Sequence, residues 1–460
     1  MKNLTEGSIT KHLLALSAFI GVSMLFQTLY FLADLYWVGR LGEHAIAAVS
    51  LAGNMMFFVL ALTQTLGVGT TTLISHAAGA GDKQRVTHVF NQAFVLSVIV
   101  GFAFGLIAFL TRGIYASKLG ADAETARLGT AYLSWFIPAM ALQFFGVAMG
   151  AALRGIGIMK PTMLIQVLTV VLNIVLAPIL IFGWGTGHPL GVIGAAIASL
   201  ISMAIGIVLF FLYFLRSSNY LRFMISAWTP QAKTWLAMVK VGVPAGAEFA
   251  LMSVYLGLIY WIIRDFGAAA QAGFGIGGRL MQAMFLPVVA IGFAAAPLAG
   301  QNFGARKGDR VQQAFYSASG IGILFMMLLT AICQLFPEQL VHVFSKEPAV
   351  IAFGSEYLRI ISWNFIGFGL VFTSSSIFQG LGHTLPAFLS SCLRLFLFAL
   401  PAYLLSLRPD FAIREVWYLS VASVAIQAVA NIALLRREFR RKLKFELMPE
   451  QAVAAAAVVD

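Results

Sequence analysis

The stretch RGIGIMKP at residues 154–161 returns as QGLGHTLP at residues 379–386, with both glycines and the proline in register. The two stretches lie 225 positions apart in the chain. Further matches at a similar offset join Tyr36-Trp37 to Tyr260-Trp261, Gly67 to Gly292, and Tyr132-Leu133 to Tyr357-Leu358. The sequence is therefore predicted to contain two similar halves.

The composition sets the class of protein. Of the 460 residues, 60% are hydrophobic and 10% are charged, and the mean hydropathy is +0.89. Soluble domains are about 45–50% apolar and about 25% charged. These figures exclude a soluble enzyme, a disordered chain and a nucleic-acid-binding protein, although the net charge is +12. Cys333 and Cys392 lie in apolar runs, so no disulfide framework is expected.

The apolar runs predict an all-α polytopic membrane protein, because a transmembrane helix needs about 20 mostly apolar residues. Twelve helices are predicted, at 13–38, 45–78, 88–111, 128–153, 162–183, 190–215, 235–263, 269–300, 311–336, 352–381, 385–407 and 413–435. Six helices per half leave both halves in the same orientation. The two lobes are therefore predicted to be related by a pseudo-twofold axis along the membrane normal.

The predicted domain boundaries follow from the repeat and from the charges. The N-terminal lobe covers 1–215, a cytoplasmic linker covers 216–234, the C-terminal lobe covers 235–435, and a basic tail covers 436–460. Most of the 30 lysines and arginines fall on the side that holds both termini. Such an excess marks the cytoplasmic side. The basic tail is expected to lie on anionic lipid, at roughly 1 kcal/mol per basic residue.

Asp34 is the strongest candidate for chemistry within the membrane. Ser23, Gln27, Tyr30 and Asp34 follow at spacings of 4, 3 and 4, which places them on one helical face. A charged Asp at the bilayer centre costs roughly 2.5–3.5 kcal/mol on insertion scales. Apolar surroundings favour the neutral carboxyl, which suits a group that binds and releases a proton. The alternative is that Asp34 lies near the helix end and faces lipid headgroups.

Four stretches carry a family resemblance. They are DLYWVGRLG at 34–42, the two Gly-x-Gly-x-x-x-Pro stretches, LNIVLAP at 172–178 and GAAIAS at 194–199. Together they resemble the multidrug and toxic compound extrusion (MATE) family, in its DinF-like branch, over about residues 10–435. The resemblance implies a secondary antiporter that exports cationic or amphipathic organic compounds in exchange for H⁺ or Na⁺.

The resemblance also implies a cation-coupling site in the N-terminal lobe. Asn173 and Ser199 match positions that join the acid of the first span, Asp34, and Tyr30 and Gln27 share its helical face. Many relatives carry an Asp four residues after the Asn, where this chain has Ala177. One carboxylate is enough for H⁺, so this departure favours proton coupling over Na⁺. No other cofactor is implied.

Glu248 in the seventh predicted helix has two interpretations. It is either a second coupling acid or one partner of a structural ion pair. Arg279 and Arg394 are the two basic residues assigned to the membrane-spanning parts of the helices rather than to the loops and helix ends, and both lie in the same half. We expect pairing more than coupling.

A permissive substrate site is expected to use methionine and aromatic side chains, which offer soft packing and cation–π contacts. Met281, Met284 and Phe285 in the eighth helix are candidates, although such side chains more often face lipid or pack helices. No spacing of metal ligands and no catalytic motif of a hydrolase is found, so no enzyme activity and no metal site are expected.

The sequence thus predicts a multidrug efflux antiporter of the cell (inner) membrane, with both termini cytoplasmic and no obligate protein partner. The nearest alternative is a flippase for lipid II or a lipid-linked oligosaccharide, which would need several basic residues in its cavity. A channel or an intramembrane enzyme is less favoured, because neither a repeated filter segment nor paired catalytic residues are present.

Overall fold

A computed structural model of the chain describes residues 3–185, 187–216 and 221–444. Fourteen α-helices run through these ranges. They are α1 (Ile9–Gly39), α2 (Glu43–Gly79), α3 (Lys83–Leu119), α4 (Ala123–Gly155), α5 (Lys160–Phe182), α6 (Val192–Arg216), α7 (Ala232–Ile263), α8 (Ala268–Gly304), α9 (Gly308–Leu335), α10 (Pro337–His342), α11 (Pro348–Ile361), α12 (Asn364–Gly380), α13 (Leu385–Ser406) and α14 (Ile413–Lys442).

Among the described residues, eleven helices are long and apolar enough to cross a membrane, and α11 with α12 forms a twelfth span that is bent by 52°. The prediction of an all-α protein with twelve spans is confirmed. The single helix predicted over 352–381 is wrong, because the chain breaks between α11 and α12. Thr330 Oγ1 donates to the carbonyl of Ser362 at 3.0 Å, and Gln334 Nε2 donates to that of Arg359 at 2.5 Å. These donors from α9 satisfy carbonyls that a continuous helix would pair internally.

Side-chain caps fix the starts of two long helices. Asp82 accepts a hydrogen bond from the backbone N–H of Arg85 at 2.9 Å, and Asp122 accepts one from that of Thr125 at 2.7 Å. Both acids are N-caps, which satisfy backbone donors that have no partner within the helix. The bond from Thr125 also lowers the pKa of the Asp122 carboxyl, which lies in the loop before α4.

The last helix is longer than predicted. α14 continues to Lys442, past the expected end at 435, and Phe439 is buried in the core that the second lobe shares with the start of α1. Glu438 is 5% exposed and lies 3.1 Å from His383 and 3.7 Å from Lys442. The first part of the predicted surface tail is therefore a packed helix with one basic, exposed face. Residues 445–460 lie outside the described residues.

The two halves are alike in detail. α2 and α8 each contain 37 residues, and their residue numbers differ by 225 at both ends. The lobes meet where these two helices end. A Cβ on Gly79 would overlap the carbonyl oxygen of Gln301, and a Cβ on Gly304 would overlap that of His76. Only glycine permits this approach of two backbones.

Equivalent hydrogen bonds tie the same ends together. His76 Nε2 lies 2.6 Å from the carbonyl oxygen of Gly380, and Gln301 Nε2 donates to that of Gly155 at 2.9 Å. In the repeat, His76 is equivalent to Gln301 and Gly155 is equivalent to Gly380, each at an offset of 225. The two bonds are therefore equivalent. We call this region, around the ends of α2 and α8, the closed end. It lies beside loops that carry part of the basic excess.

Two helices cross between the lobes. Leu13 and Leu16 of α1 are buried in a core formed with α8, α9 and α12 of the second half. Met238 of α7, the repeat equivalent of Leu13, is buried in the core of the first half. The boundaries predicted at 215 and 235 therefore do not follow the packing, because each lobe takes the first part of one helix from the other half.

The predicted linker is attached to the first lobe over its described part. Asn91 of α3 donates to the carbonyl of Arg222 at 2.8 Å, and Gln92 donates to that of Ala227 at 2.7 Å. Leu221 is fully buried. Residues 217–220 of the linker lie outside the described residues.

Candidate functional site

A cavity of about 370 Å³ lies within the first lobe, between α1, α2, α4, α5 and α6, and Phe293 of α8 completes its wall. Much of the wall is sulfur and aromatic surface. The methionines are Met24, Met56, Met140, Met159 and Met203. Flexible, polarizable side chains of this kind adapt to ligands of different shape.

Three predicted site residues meet at one part of this cavity. Tyr30 Oη and Ser199 Oγ lie 2.8 Å apart, and Asn173 Nδ2 donates to Ser199 Oγ at 3.3 Å. These side chains come from α1, α6 and α5. Tyr30 and Ser199 line the cavity, as do Ser23 and Gln27 of the predicted polar stripe.

Asp34 lies one helical turn beyond Tyr30. Its Oδ1 atom is buried and has no hydrogen-bond partner among the described residues, and the same is true of Asn173 Oδ1. Tyr30 and Tyr132 lie close enough to the Asp34 carboxylate to interact with it electrostatically. Ala177, one turn after Asn173, is fully buried. Unpaired oxygen acceptors at a buried carboxyl can take a proton or a small cation.

The candidates Met281, Met284 and Phe285 lie elsewhere, partly buried against a small hydrophobic cluster of the second lobe. Tyr357 Oη donates to Met281 Sδ at 3.4 Å, and Cys333 Sγ lies 3.6 Å from Met284 Sδ. None of the three candidates lines the 370 Å³ cavity. A cavity with methionine and aromatic side chains in its wall lies instead in the first lobe.

The ion pair expected at Glu248 is absent from the described residues, where no basic group lies within 4 Å of this carboxylate. Instead Glu248 Oε2 accepts a hydrogen bond from Ser375 at 2.9 Å. The Arg394 guanidinium lies over the rings of Tyr255 and Phe368, at 4.9 and 5.3 Å from their centroids. Arg279 is exposed. The Arg394 cation therefore packs on aromatic faces and interacts with the Glu248 carboxylate only at longer range.

Sequence reasoning missed Arg154, which was counted as a loop charge after the fourth span. It lies in the last turn of α4, lines the cavity, and has its guanidinium 5.5 Å from the centroid of Phe293. The internal repeat could have indicated this residue, because Arg154 occupies the position equivalent to the neutral Gln379 of the second half. The described residues contain no group of three His, Cys, Asp or Glu side chains that could hold a metal ion.

Twelve spans in two symmetric lobes that are held together at one end, with a large cavity within the first lobe, are typical of a membrane transporter. The family described as MatE matches residues 20–179 and 244–404, once in each half. The chain belongs to this family, and it is a transporter rather than an enzyme. The two matched segments also confirm the internal repeat.

Known proteins agree in sequence and in structure. The chain is 28% identical over 394 residues to the multidrug export protein MepA of Staphylococcus saprophyticus, covering 84% of this chain and 85% of that protein. An outward-facing multidrug resistance MATE transporter of the MOP superfamily matches with a TM-score of 0.88 and 26% identity, over 96% of this chain and 98% of that one. A MATE structure in complex with MaL6 matches with a TM-score of 0.89 and 25% identity, over 96% and 99%.

Proposed function

We propose that this protein is a multidrug efflux antiporter that exports amphipathic organic compounds, cations among them, in exchange for H⁺. The observation that carries the proposal is the buried, unpartnered Oδ1 of Asp34, beside the Tyr30–Ser199–Asn173 group of the methionine-lined cavity. The similarity to multidrug export proteins supports the class of substrate. The transporter would lie in the cell membrane with both termini cytoplasmic.

The coupling would act through α1. Its first part is packed in the core shared with the second lobe, while its last part brings Asp34 to the first lobe. A change of charge on Asp34 therefore acts on a helix that both lobes hold. Proton and substrate must favour different conformations, because a ligand shifts an equilibrium only by its differential affinity for the two states.

Proton coupling is preferred over Na⁺ because the site offers one carboxylate. Ala177 fills the position one turn from Asn173 with a methyl group, where a second acid would add ligands. Sodium ions need several oxygen ligands, whereas a proton needs only Asp34. Exchange of a monovalent cation for one proton would be electroneutral, so the pH gradient alone would drive it, at about 1.4 kcal/mol per tenfold ratio.

The flippase alternative is not favoured by the cavity. A pyrophosphate carries several negative charges and would need several cations around it, whereas Arg154 is the only charged side chain that lines the cavity among the described residues. Arg279 and Arg394, the two arginines predicted within the membrane, lie in the second half and outside the cavity. We therefore propose export of small amphipathic molecules.

Transport by purified protein in proteoliposomes tests the proposal. Accumulation of a fluorescent organic cation is followed under an imposed pH gradient and, separately, under an imposed Na⁺ gradient. We expect the pH gradient to drive accumulation and Asp34→Asn to abolish it, since Asn keeps the size but cannot ionise. Asp265→Asn, at an acid 75% exposed beside Arg264, is the matched control and should transport normally. Normal transport by Asp34→Asn would contradict the proposal.

A further inference from the structure

The cavity carries one charge, and that charge is positive. Among the residues that line its wall, Arg154 is the only ionisable side chain that is charged near neutral pH. Asp34 is not part of the lining. The polar groups that share the wall are hydroxyls and amides, such as Gln64, Gln143 and Thr162.

No partner neutralises this arginine within the described part of the chain. Its side chain forms no ion pair and no hydrogen bond there, and its guanidinium lies over the ring of Phe293. Removal of a charge from water costs several kcal/mol unless a counter-charge is present. A cation that lines a cavity without a counter-charge is therefore a candidate to bind an anionic ligand.

The repeat shows that the fold itself does not need this charge. Gln379 occupies the equivalent position in the second half, and both side chains line a narrow cavity of about 10 Å³ at the contact between the lobes. Next to it, Thr72 Oγ1 donates to the carbonyl oxygen of Gln379 at 2.9 Å. A neutral amide serves the packing on one side of the pseudo-twofold axis, whereas the side with the large cavity carries a guanidinium.

We propose that Arg154 binds the anionic group of those transported molecules that carry one. The ligands would be amphipathic monoanions or zwitterions, in which a carboxylate or sulfonate meets the guanidinium and an aromatic body lies against the methionine and phenylalanine wall. A planar guanidinium binds carboxylates through two parallel hydrogen bonds. The proposal rests on the proposed function only in taking this cavity as the substrate site.

The shape of the cavity suits a molecule with two polar ends. Along α1 the wall runs from Phe19 to Phe31, which at 1.5 Å per residue is roughly 18 Å. Phe293, which lies beside Arg154, packs in the same cluster as Phe19 and Met24, at the start of this stretch. Tyr30 and the Asp34 group lie at its other end. A zwitterion could therefore place its anion at Arg154 and its amine towards Asp34.

Equilibrium binding without any gradient tests the proposal. Full-length protein in lipid nanodiscs is dialysed against 1-pyrenebutyrate and, in parallel, against its methyl ester, with binding to empty nanodiscs subtracted. Hydrogen bonds to charged groups support a preference of at least about tenfold for the carboxylate. Arg154→Gln should reduce that preference to about one, and Arg154→Lys should retain most of it.

Arg279→Gln is the matched control, since it removes an exposed arginine outside the cavity and should leave the preference unchanged. Unchanged binding of the methyl ester shows that a variant is folded. If Arg154→Gln does not fold, the proposal is tested by the preference of the natural protein and of Arg154→Lys for the carboxylate over its methyl ester. No preference in the natural protein, or a tenfold preference that survives in Arg154→Gln, would overturn the proposal. Because binding is measured without a gradient, the binding result can be interpreted even if proton-driven transport fails.

Discussion

Asp34 and Ala177 differ in what their positions offer a coupling ion. Asp34 supplies a carboxyl oxygen without a partner among the described residues, close to the Tyr30–Ser199 pair. Ala177 supplies only a methyl group, fully buried one turn after Asn173. The position where the family resemblance leads us to expect a second acid thus holds a group that cannot bind a cation, and the ion choice should depend on this one position.

Ala177→Asp is therefore expected to give the transporter a dependence on Na⁺. Two carboxylates close together repel each other, so that either one keeps its proton or a cation is recruited between them. The measurement is uptake into proteoliposomes with and without an imposed Na⁺ gradient. Ala177→Asn, which has the same size and no charge, is the control. A folded Ala177→Asp variant without Na⁺ dependence would count against this site, and strong Na⁺-driven transport by the natural protein would remove the proton preference.

At the residue scale the sequence identified the acid but not the cavity wall. Asp34 and Tyr30 stood out as candidates because a polar stripe on an apolar helix is costly and therefore visible, whereas Ser199 was suggested only by the family resemblance. Methionines give no such signal, since an apolar residue is acceptable in lipid, in the core and in a cavity alike. Arg154 was hidden for another reason, because a charge at the end of an apolar run is equally typical of a loop.

Among the helices, α1 is continuous from Ile9 to Gly39 and contains no proline. Gly21, its one weak point within the predicted span, faces Ala290 of α8, whose Cβ would lie 3.8 Å from an added Cβ. Sharp kinks usually arise at proline, at Gly/Ser pairs or at bulges. We therefore predict that α1 moves with the lobes rather than by bending at a proline.

The glycines at the ends of α2 and α8 should determine the stability of the contact between the two lobes at the closed end. A Cβ at Gly304 would overlap the backbone of His76, whereas one at Gly320 in α9 meets nothing within 4 Å. Overpacking of this kind typically costs about 1–3 kcal/mol. Gly304→Ala should therefore lower the apparent melting temperature in detergent. Gly320→Ala should leave it unchanged or raise it, since Ala favours a helix interior.

Equal melting temperatures for these two alanine variants would show that the close approach at Gly304 does not hold the lobes together. A lowered value for Gly320→Ala alone would contradict the structure of both helices.

At the scale of helices, most of the fold could be predicted from hydropathy. Eleven of the predicted helices have counterparts, because apolar length is set by the membrane, and nine of these match within five residues at both ends, whereas α3 and α14 end eight and seven residues later than predicted. The break before Asn364 could not be foreseen. No proline or glycine marks it, and the donors that stabilise it, Thr330 and Gln334, come from another helix. The extension of α14 was not predicted because its many arginines are typical of a surface segment, although Phe439 among them is buried.

The whole molecule consists of two lobes that exchange the first parts of α1 and α7. Leu16 belongs to the core shared with the second lobe, whereas Val170 lines the cavity of the first. A distance between these two residues therefore reports motion between the lobes. Pairs chosen to test rigid lobes must avoid the starts of both crossing helices.

Labels at Leu119 and Phe344, which are equivalent in the repeat and both exposed, should move apart or together as the protein changes state. Labels at Leu119 and Val175, both in the first lobe, should keep their distance. The spin-label distances are measured at pH 5 and pH 8, in a background with Cys333 and Cys392 replaced by serine. A constant distance between the lobes together with a changed distance inside the first lobe would contradict rocking and favour a bending helix.

The proposed coupling requires competition between one proton on Asp34 and one substrate. Binding effects of this kind are reciprocal. If the proton weakens substrate binding as the pH falls, substrate binding must release protons from the protein.

Proton release on adding substrate to purified protein, in weak buffer near neutral pH, tests this claim most directly. A pH indicator dye reports the release, and empty detergent micelles give the background. We predict release by the natural protein and by Asp265→Asn, and none by Asp34→Asn even where that variant still binds the substrate. Equal release by Asp34→Asn, or saturating binding to the natural protein without any release, would contradict the account.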